Sequence, residues 1–275
     1  MAKPKLTNAA KPATFEVEAY NERGEMVPTA VAGEHPLTLY LDKREIVTLM
    51  TLGHAPEALA IGYLRNQRLA DSIDDIAAVQ VDWETESVAI TTRSKKPLPS
   101  LDKKTVTTGC GQGTVYGDLM EEIDSVKLRQ DVTLTDADLF VLLEKVRKHE
   151  TIYKQAGAVH GCALATTGGE ILMFVEDVGR HNAVDAIAGF MWLDGIDGSD
   201  KLFYTTGRLT SEMVIKCAQM RIPFLVSRSG LTHMGHAIAQ KVGITMLGRA
   251  SGRHYLAFTG KERLVRTTPQ PTALA

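Results

Sequence analysis

The stretch Thr107-Thr108-Gly109-Cys110-Gly111-Gln112-Gly113-Thr114 sets one cysteine among glycines. Glycine reaches backbone conformations closed to other residues and lets a partner come close, so the segment reads as a tight, exposed turn. Backbone N–H groups in such a turn can stabilise a thiolate, the form of cysteine that acts as a nucleophile. Two readings of Cys110 stand: a reactive thiol, or a turn that happens to hold a cysteine. The other thiols are Cys162 and Cys217. Three cysteines far apart, without paired ligand spacing, support neither a disulfide framework nor a zinc ribbon, and no metal is expected. Cys217 lies in the apolar-periodic run Ser211 to Ala218. Cys162 opens the strand-like run His160-Gly161-Cys162-Ala163-Leu164, and core positions are expected for both.

A second set of residues could bind anions. Three strand-to-helix turns share small polar residues and an arginine: Glu176-Asp177-Val178-Gly179-Arg180-His181-Asn182, Thr205-Thr206-Gly207-Arg208-Leu209-Thr210, and Val226-Ser227-Arg228-Ser229-Gly230. Arg180 can fork two donors onto a phosphate, His181 can titrate near neutrality, and Asn182 can cap its helix. A helix N-terminus adds unpaired N–H groups and a favourable dipole. Three independently capped helices would look the same. The repetition points instead to one polyanionic ligand across the sheet edge. Gly248-Arg249-Ala250-Ser251-Gly252-Arg253-His254 adds two arginines and a histidine. The P-loop pattern Gly-x-x-x-x-Gly-Lys-Ser/Thr is absent, which excludes a P-loop nucleotide hydrolase.

Those turns need elements to hold them. Strands are predicted at Pro36 to Leu41, Arg44 to Thr51, Ile76 to Val81 and Ser87 to Thr92, with a helix from Pro56 to Gln67 opened by proline. These form a small α+β lobe. Thr135 to His149 begins with a Thr-x-x-Asp start resembling a capping box and continues at helical spacing. Two strands flank Thr167-Gly168-Gly169 as a hairpin. Helices at Asn182 to Leu193, Thr210 to Met220 and Leu231 to Val242 then alternate with strands at Lys201 to Tyr204, Pro223 to Val226 and Ile244 to Leu247, before a last strand at Tyr255 to Phe258. This alternation predicts a three-layer α/β sheet, with ligands at the carboxyl ends of its strands.

The polar, proline-broken run Arg93-Ser94-Lys95-Lys96-Pro97-Leu98-Pro99-Ser100 reads as a linker. The expected organisation is a flexible N-terminus over 1–15, a small lobe and linker over 16–105, an α/β domain over 106–260 and a tail over 261–275. With 275 residues, 44% hydrophobic and 23% charged, the chain can bury a real core. A net charge of −2 argues against non-specific nucleic-acid binding. The lysine- and proline-bearing start lacks an apolar signal region and no run is long enough to span a membrane, so a cytoplasmic protein is expected.

In combination and order, the motifs resemble the FdhD family of formate dehydrogenase accessory sulfurtransferases over most of the chain. They are Thr-Thr-Gly-Cys110-Gly-x-Gly, Gly157-Ala158-Val159-His160, Glu176 to Asp185, Thr206-Gly207-Arg208 with Ser211-Glu212-Met213-Val214, and Ile222 to Ser227. The resemblance implies a cytidine deaminase-like α/β domain, cytoplasmic location and a homodimer. It also implies that sulfur passes from a cysteine desulfurase, through a cysteine persulfide, to the molybdenum cofactor in its bis-guanine-dinucleotide form, before insertion into formate dehydrogenase.

By position, Cys110 would carry the persulfide. Arg249, Ala250, Ser251, Gly252, Arg253 and His254 would match the family's cofactor-binding segment. Arg180, His181, Asn182, Thr206, Gly207, Arg208 and Ser227 are the further cofactor-binding candidates, and His160, Arg180 and His181 could lower the thiol pKa. Many members have a second loop cysteine where this chain has Gly113, and an aromatic residue where it has Arg249. Loss of that thiol leaves open a non-catalytic cofactor chaperone. A zinc nucleobase deaminase is disfavoured, since neither His-x-Glu nor Pro-Cys-x-x-Cys occurs.

Overall fold

The computed structural model describes residues 3–94, 123, 126–149 and 151–267. Its described residues cluster into two compact units that are not contiguous in sequence. One draws on Met1–Leu119, Glu150–Cys162 and Val175–Ile196; the other on Met120–His149, Ala163–Phe174 and Asp197–Ala275. The contiguous division at 105/106 therefore does not describe the packing. Among the described residues no helix is long and apolar enough to cross a membrane.

The first unit holds a five-stranded sheet of β1 (Lys5–Leu6), β4 (His35–Leu41), β5 (Arg44–Thr51), β6 (Ile76–Asp82) and β7 (Ser87–Thr92), ordered β1-β6-β7-β4-β5. Strands β4 and β5 meet through Asp42 and Lys43, both at positive φ (46° and 72°), as a two-residue hairpin whose twist matches its strands requires. Asp42 also accepts hydrogen bonds from the Thr92 amide (2.9 Å) and hydroxyl (2.5 Å), tying the turn to β7.

The N-terminus is anchored rather than flexible in its described part. Lys5 and Leu6 pair with Ala78 and Val79, Thr7 bonds to Val79 and Val81, and the Trp83 indole donates to the Ala9 carbonyl at 2.5 Å. Composition missed this because two paired residues leave no periodic signal. A separate ribbon of β2 (Thr14–Tyr20) and β3 (Met26–Ala32) was not predicted either.

Helix α1 (Pro56–Asn66) packs within this unit on a later helix, Arg180–Leu193. A Cβ on Gly62 would lie 1.6 Å from the Asp185 carbonyl oxygen, and one on Gly189 would lie 1.9 Å from that of Ala58. Two glycines thus let the backbones touch. Buried Asp185 accepts from the Asn66 amide at 2.6 Å, and Arg65 donates to the Ala188 carbonyl at 2.9 Å. This packing is why 175–196 belong to the N-terminal unit.

The second unit is built on a sheet ordered β10-β9-β11-β12-β13-β14, comprising β9 (His160–Thr166), β10 (Ile171–Asp177), β11 (Lys201–Thr205), β12 (Phe224–Ser227), β13 (Thr245–Ser251) and β14 (His254–Thr259). It takes β9 and β10 through the residues that form their hairpin, 163–174. Strands β11, β12 and β13 are parallel, with Leu202 beside Phe224 and Phe224 beside Thr245. Helix α2 (Asp136–His149), entered from β8 (Leu134–Thr135), buries Leu139, Leu142, Leu143 and Val146 against Leu202, Tyr204, Phe224 and Val226. Alternation along the strands sends Phe203 and Leu225, both fully buried, to the opposite face. The alternation of strands and helices expected from the sequence is present: the protein is α/β.

The last described residues are not a loose tail. In β15 (Leu264–Val265) the chain pairs with β8, and Thr267 donates through its amide and hydroxyl to Asp136. Arg263 is buried and donates to the carbonyls of Arg129, Gly243 and Pro223.

Candidate functional site

In the first unit, the turn from β10 into α4 (Arg180–Leu193, after the short α3 at Ile152–Ala156) is a structural knot. Buried Asp177 accepts from the Thr51 hydroxyl (2.6 Å), Leu52 amide (3.1 Å), Gly179 amide (3.0 Å) and Asn182 side chain (2.8 Å). Burial pushes its pKa up, against the pull of those donors. Asn182 does not cap α4. The N-cap is Gly179, and the Asn182 amide instead donates to the Met50 carbonyl at 2.6 Å. The bonds Asp177 already makes leave the Asn182 side chain inside the turn. Neighbouring Glu176 accepts from the Thr151 hydroxyl and the amides of Thr151, Ile152 and Tyr153, closing the start of α3. Arg180 and His181 follow on the first turn of α4, and both are buried.

The second unit carries the other two turns. Thr205 ends β11 and accepts the Gly207 amide at 3.1 Å; Ser227 ends β12, donates to the Gly207 carbonyl at 2.6 Å and accepts the Ser229 amide at 2.9 Å. The buried Ser227 hydroxyl is thus committed to stapling the two turns together. Arg228 N bonds to Thr205 O and Arg249 N to Ser229 O, which sets the end of β13 beside them. Beyond the turns run α5 (Ser211–Gln219) and α6 (His233–Val242), the latter capped by Thr232.

Arg208 and Arg228 are exposed on these adjoining loops, and Arg249 is exposed within β13 beside them. Arg249 has φ 53°, at an irregularity in the β13–β14 register. A non-glycine residue held there costs about 1–2 kcal/mol, strain that concentrates at binding sites. Thr206 is half-buried beside this edge.

Ala250 is buried, whereas Ser251, Gly252, Arg253 and His254 form the exposed β13–β14 turn. That turn walls a groove of about 600 Å³ with α2, whose Phe140, Val141, Glu144 and Arg147 form the facing stripe. Sequence reading missed these helical residues, because an aromatic, an acid and an arginine spaced three and four apart look like any solvated helix face. The structure brings Thr206, Gly207, Arg208, Ser227 and Arg249–His254 into one unit; Arg180, His181 and Asn182 belong to the other.

Cys162 and Cys217 are fully buried, as expected of core thiols, and Cys162 Sγ lies 4.0 Å from the Arg180 carbonyl oxygen. His160 is half-buried at the start of β9. Cys110 and Gly113 lie outside the described residues.

Fold and loops together define a mixed α/β protein whose parallel strands end at arginine-bearing turns. The chain belongs to the FdhD/NarQ family, whose model matches residues 32–265. Its relatives include the sulfur carrier protein FdhD of Listeria innocua, 28% identical over 263 residues (94% of this chain, 99% of the relative). That of Sulfurisphaera tokodaii is 30% identical over 253 residues (89% and 95%). A crystal structure from Desulfotalea psychrophila, described as a formate dehydrogenase accessory protein, superposes with a TM-score of 0.78 at 26% identity, covering 92% of this chain and all of that one.

Proposed function

We propose that this protein is a sulfur carrier for formate dehydrogenase maturation, taking sulfur from a cysteine desulfurase onto Cys110 and passing it to the molybdenum cofactor in bis-guanine-dinucleotide form. Family membership across 32–265, with relatives named sulfur carriers, carries the proposal. In the loading step the Cys110 thiolate attacks the terminal sulfur of the donor persulfide. A new S–S bond forms, the donor S–S bond breaks, and the donor cysteine leaves as a thiolate with no net oxidation. The cofactor is bound as substrate, and the exposed arginines of the second unit suit its phosphates by charge and fork geometry.

The departure at Gly113 favours a second reading, a chaperone that holds the cofactor without moving sulfur. Neither Cys162 nor Cys217 can stand in for the missing loop thiol at the surface, since both are fully buried. Intact mass after incubation with a cysteine desulfurase and cysteine separates the two. The carrier gains sulfur that reductant removes and Cys110→Ala abolishes. A chaperone gains none and still binds guanine nucleotide.

A further inference from the structure

The β2–β3 ribbon of the first unit has an apolar face and an acidic face, and the middle of β2 is exposed on both. Register places Phe15 opposite Val31, Val17 opposite Thr29 and Ala19 opposite Val27 on one face. Phe15, Val17 and Val31 remain 44%, 38% and 43% exposed. On the other face Glu16 and Glu18 stand opposite Ala30 and Pro28, so neither acid meets a cation across the ribbon. An apolar face on two strands is marginal in water and calls for a third strand or a helix.

The backbone shows where a third strand fits. The Ala13 carbonyl accepts from the Gly33 amide at 2.9 Å, and the Asn21 amide donates to the Glu25 carbonyl at 3.0 Å. These bonds, one just beyond each end of the ribbon, fix the odd-numbered residues of β2 as those whose backbone groups face β3. Thr14, Glu16, Glu18 and Tyr20 therefore turn their N–H and C=O groups to the outer edge, and among the described residues β2 pairs with β3 alone. The outer edge of β3 is blunted, because Pro28 has no N–H to offer there. A second copy suits the β2 edge poorly: antiparallel pairing centred on Val17 would set glutamate against glutamate twice.

We propose that the outer edge of β2 receives an extended segment of a protein partner in which apolar residues alternate with lysine or arginine. The segment adds a third strand. Its N–H and C=O groups complete the ladder at Glu16 and Glu18, its apolar side chains extend the face of Phe15 and Val17, and its cations stand beside the two glutamates. Backbone pairing supplies attachment and the alternation supplies selectivity, since a segment shifted by one residue would put its charges on the apolar face. This docking is independent of the sulfur-carrier reading and uses none of the arginine turns.

The test is fluorescence anisotropy of the full-length protein with a labelled peptide of seven residues, the length of β2, alternating valine and lysine. The wild type should bind it, and should bind a peptide of the same composition with its lysines in one block about tenfold more weakly. Methylating the peptide's edge-facing amide nitrogens should abolish binding. Glu16→Lys/Glu18→Lys should weaken binding of the lysine peptide by about tenfold and accept one alternating valine and glutamate, with circular dichroism unchanged because both positions are exposed. Equal binding of the blocked peptide, or no binding of the alternating one by the wild type, overturns the proposal. So does a changed oligomeric mass in the charge-reversed variant without a change in peptide affinity, which would make β2 a contact between copies.

Discussion

Gly189 on α4 lies so close to Ala58 on α1 that a Cβ there would be 1.9 Å from the Ala58 carbonyl oxygen. No rotamer relieves such a contact, because the backbone fixes where a Cβ stands and the oxygen is itself backbone. Gly189→Ala must therefore push the helices apart and open the buried Asn66–Asp185 bond with them. The expected loss is about 3 kcal/mol, at the upper end for overpacking. Denaturant unfolding measures it, and a change below about 1 kcal/mol would show that the helices separate at little cost.

His35 offers a pH test. Its ring sits among Phe15 and Trp83, with Lys11 over the Trp83 ring at 5.2 Å, and its Nε2 is buried without a partner among the described residues. Burial first, and then Lys11, push its pKa below the ordinary 6.5, with Glu86 opposing. The unfolded chain then binds a proton that the folded chain refuses between those two values. Stability falls as pH drops through 6.5 toward the lowered value. His35→Phe should flatten the difference between unfolding midpoints at about pH 7.5 and about pH 5.5. An undiminished slope in the variant would assign it to other groups.

Arg249→Gly should separate stability from binding. Glycine adopts φ 53° without a Cβ clash, so the fold should be unchanged or up to about 1 kcal/mol more stable. Anion affinity should fall, with a shallower salt dependence. Lower thermal stability in this variant would show that the arginine side chain contributes more to packing than its strain costs.

Thiol accessibility distinguishes the three cysteines. Under native conditions alkylation should add one adduct, at Cys110, because Cys162 and Cys217 are fully buried. In denaturant all three should react. A native protein that takes no adduct would remove the premise of the carrier reading.

The α/β alternation was legible because parallel strands buried on both faces and their helices have distinct periods. The elements predicted for the second unit fall within a few residues of their bounds, while β8 and β15, two residues each, leave no pattern to read. The β2–β3 ribbon was not, since Phe15, Val17, Tyr20, Met26 and Val31 stay exposed and their alternation marks no buried face. At the candidate site, residue types identified the arginine turns but not their jobs. Ser227 looks like a ligand and is a staple; Asn182 looks like a cap and holds a strand carbonyl. Those roles depend on Gly207 and Met50, 20 and 132 residues away, which local spacing does not reveal.

The interleaving of the two units has a consequence for synthesis. A nascent chain leaves the ribosome in order, yet the first unit needs its helix at Arg180–Leu193 before α1 has a surface to meet. The second needs Arg263 to join the carbonyls of Arg129, Pro223 and Gly243. Neither can finish folding early, so the apolar face of α1 waits through most of translation and a truncated product is expected to be a substrate for chaperones and proteases.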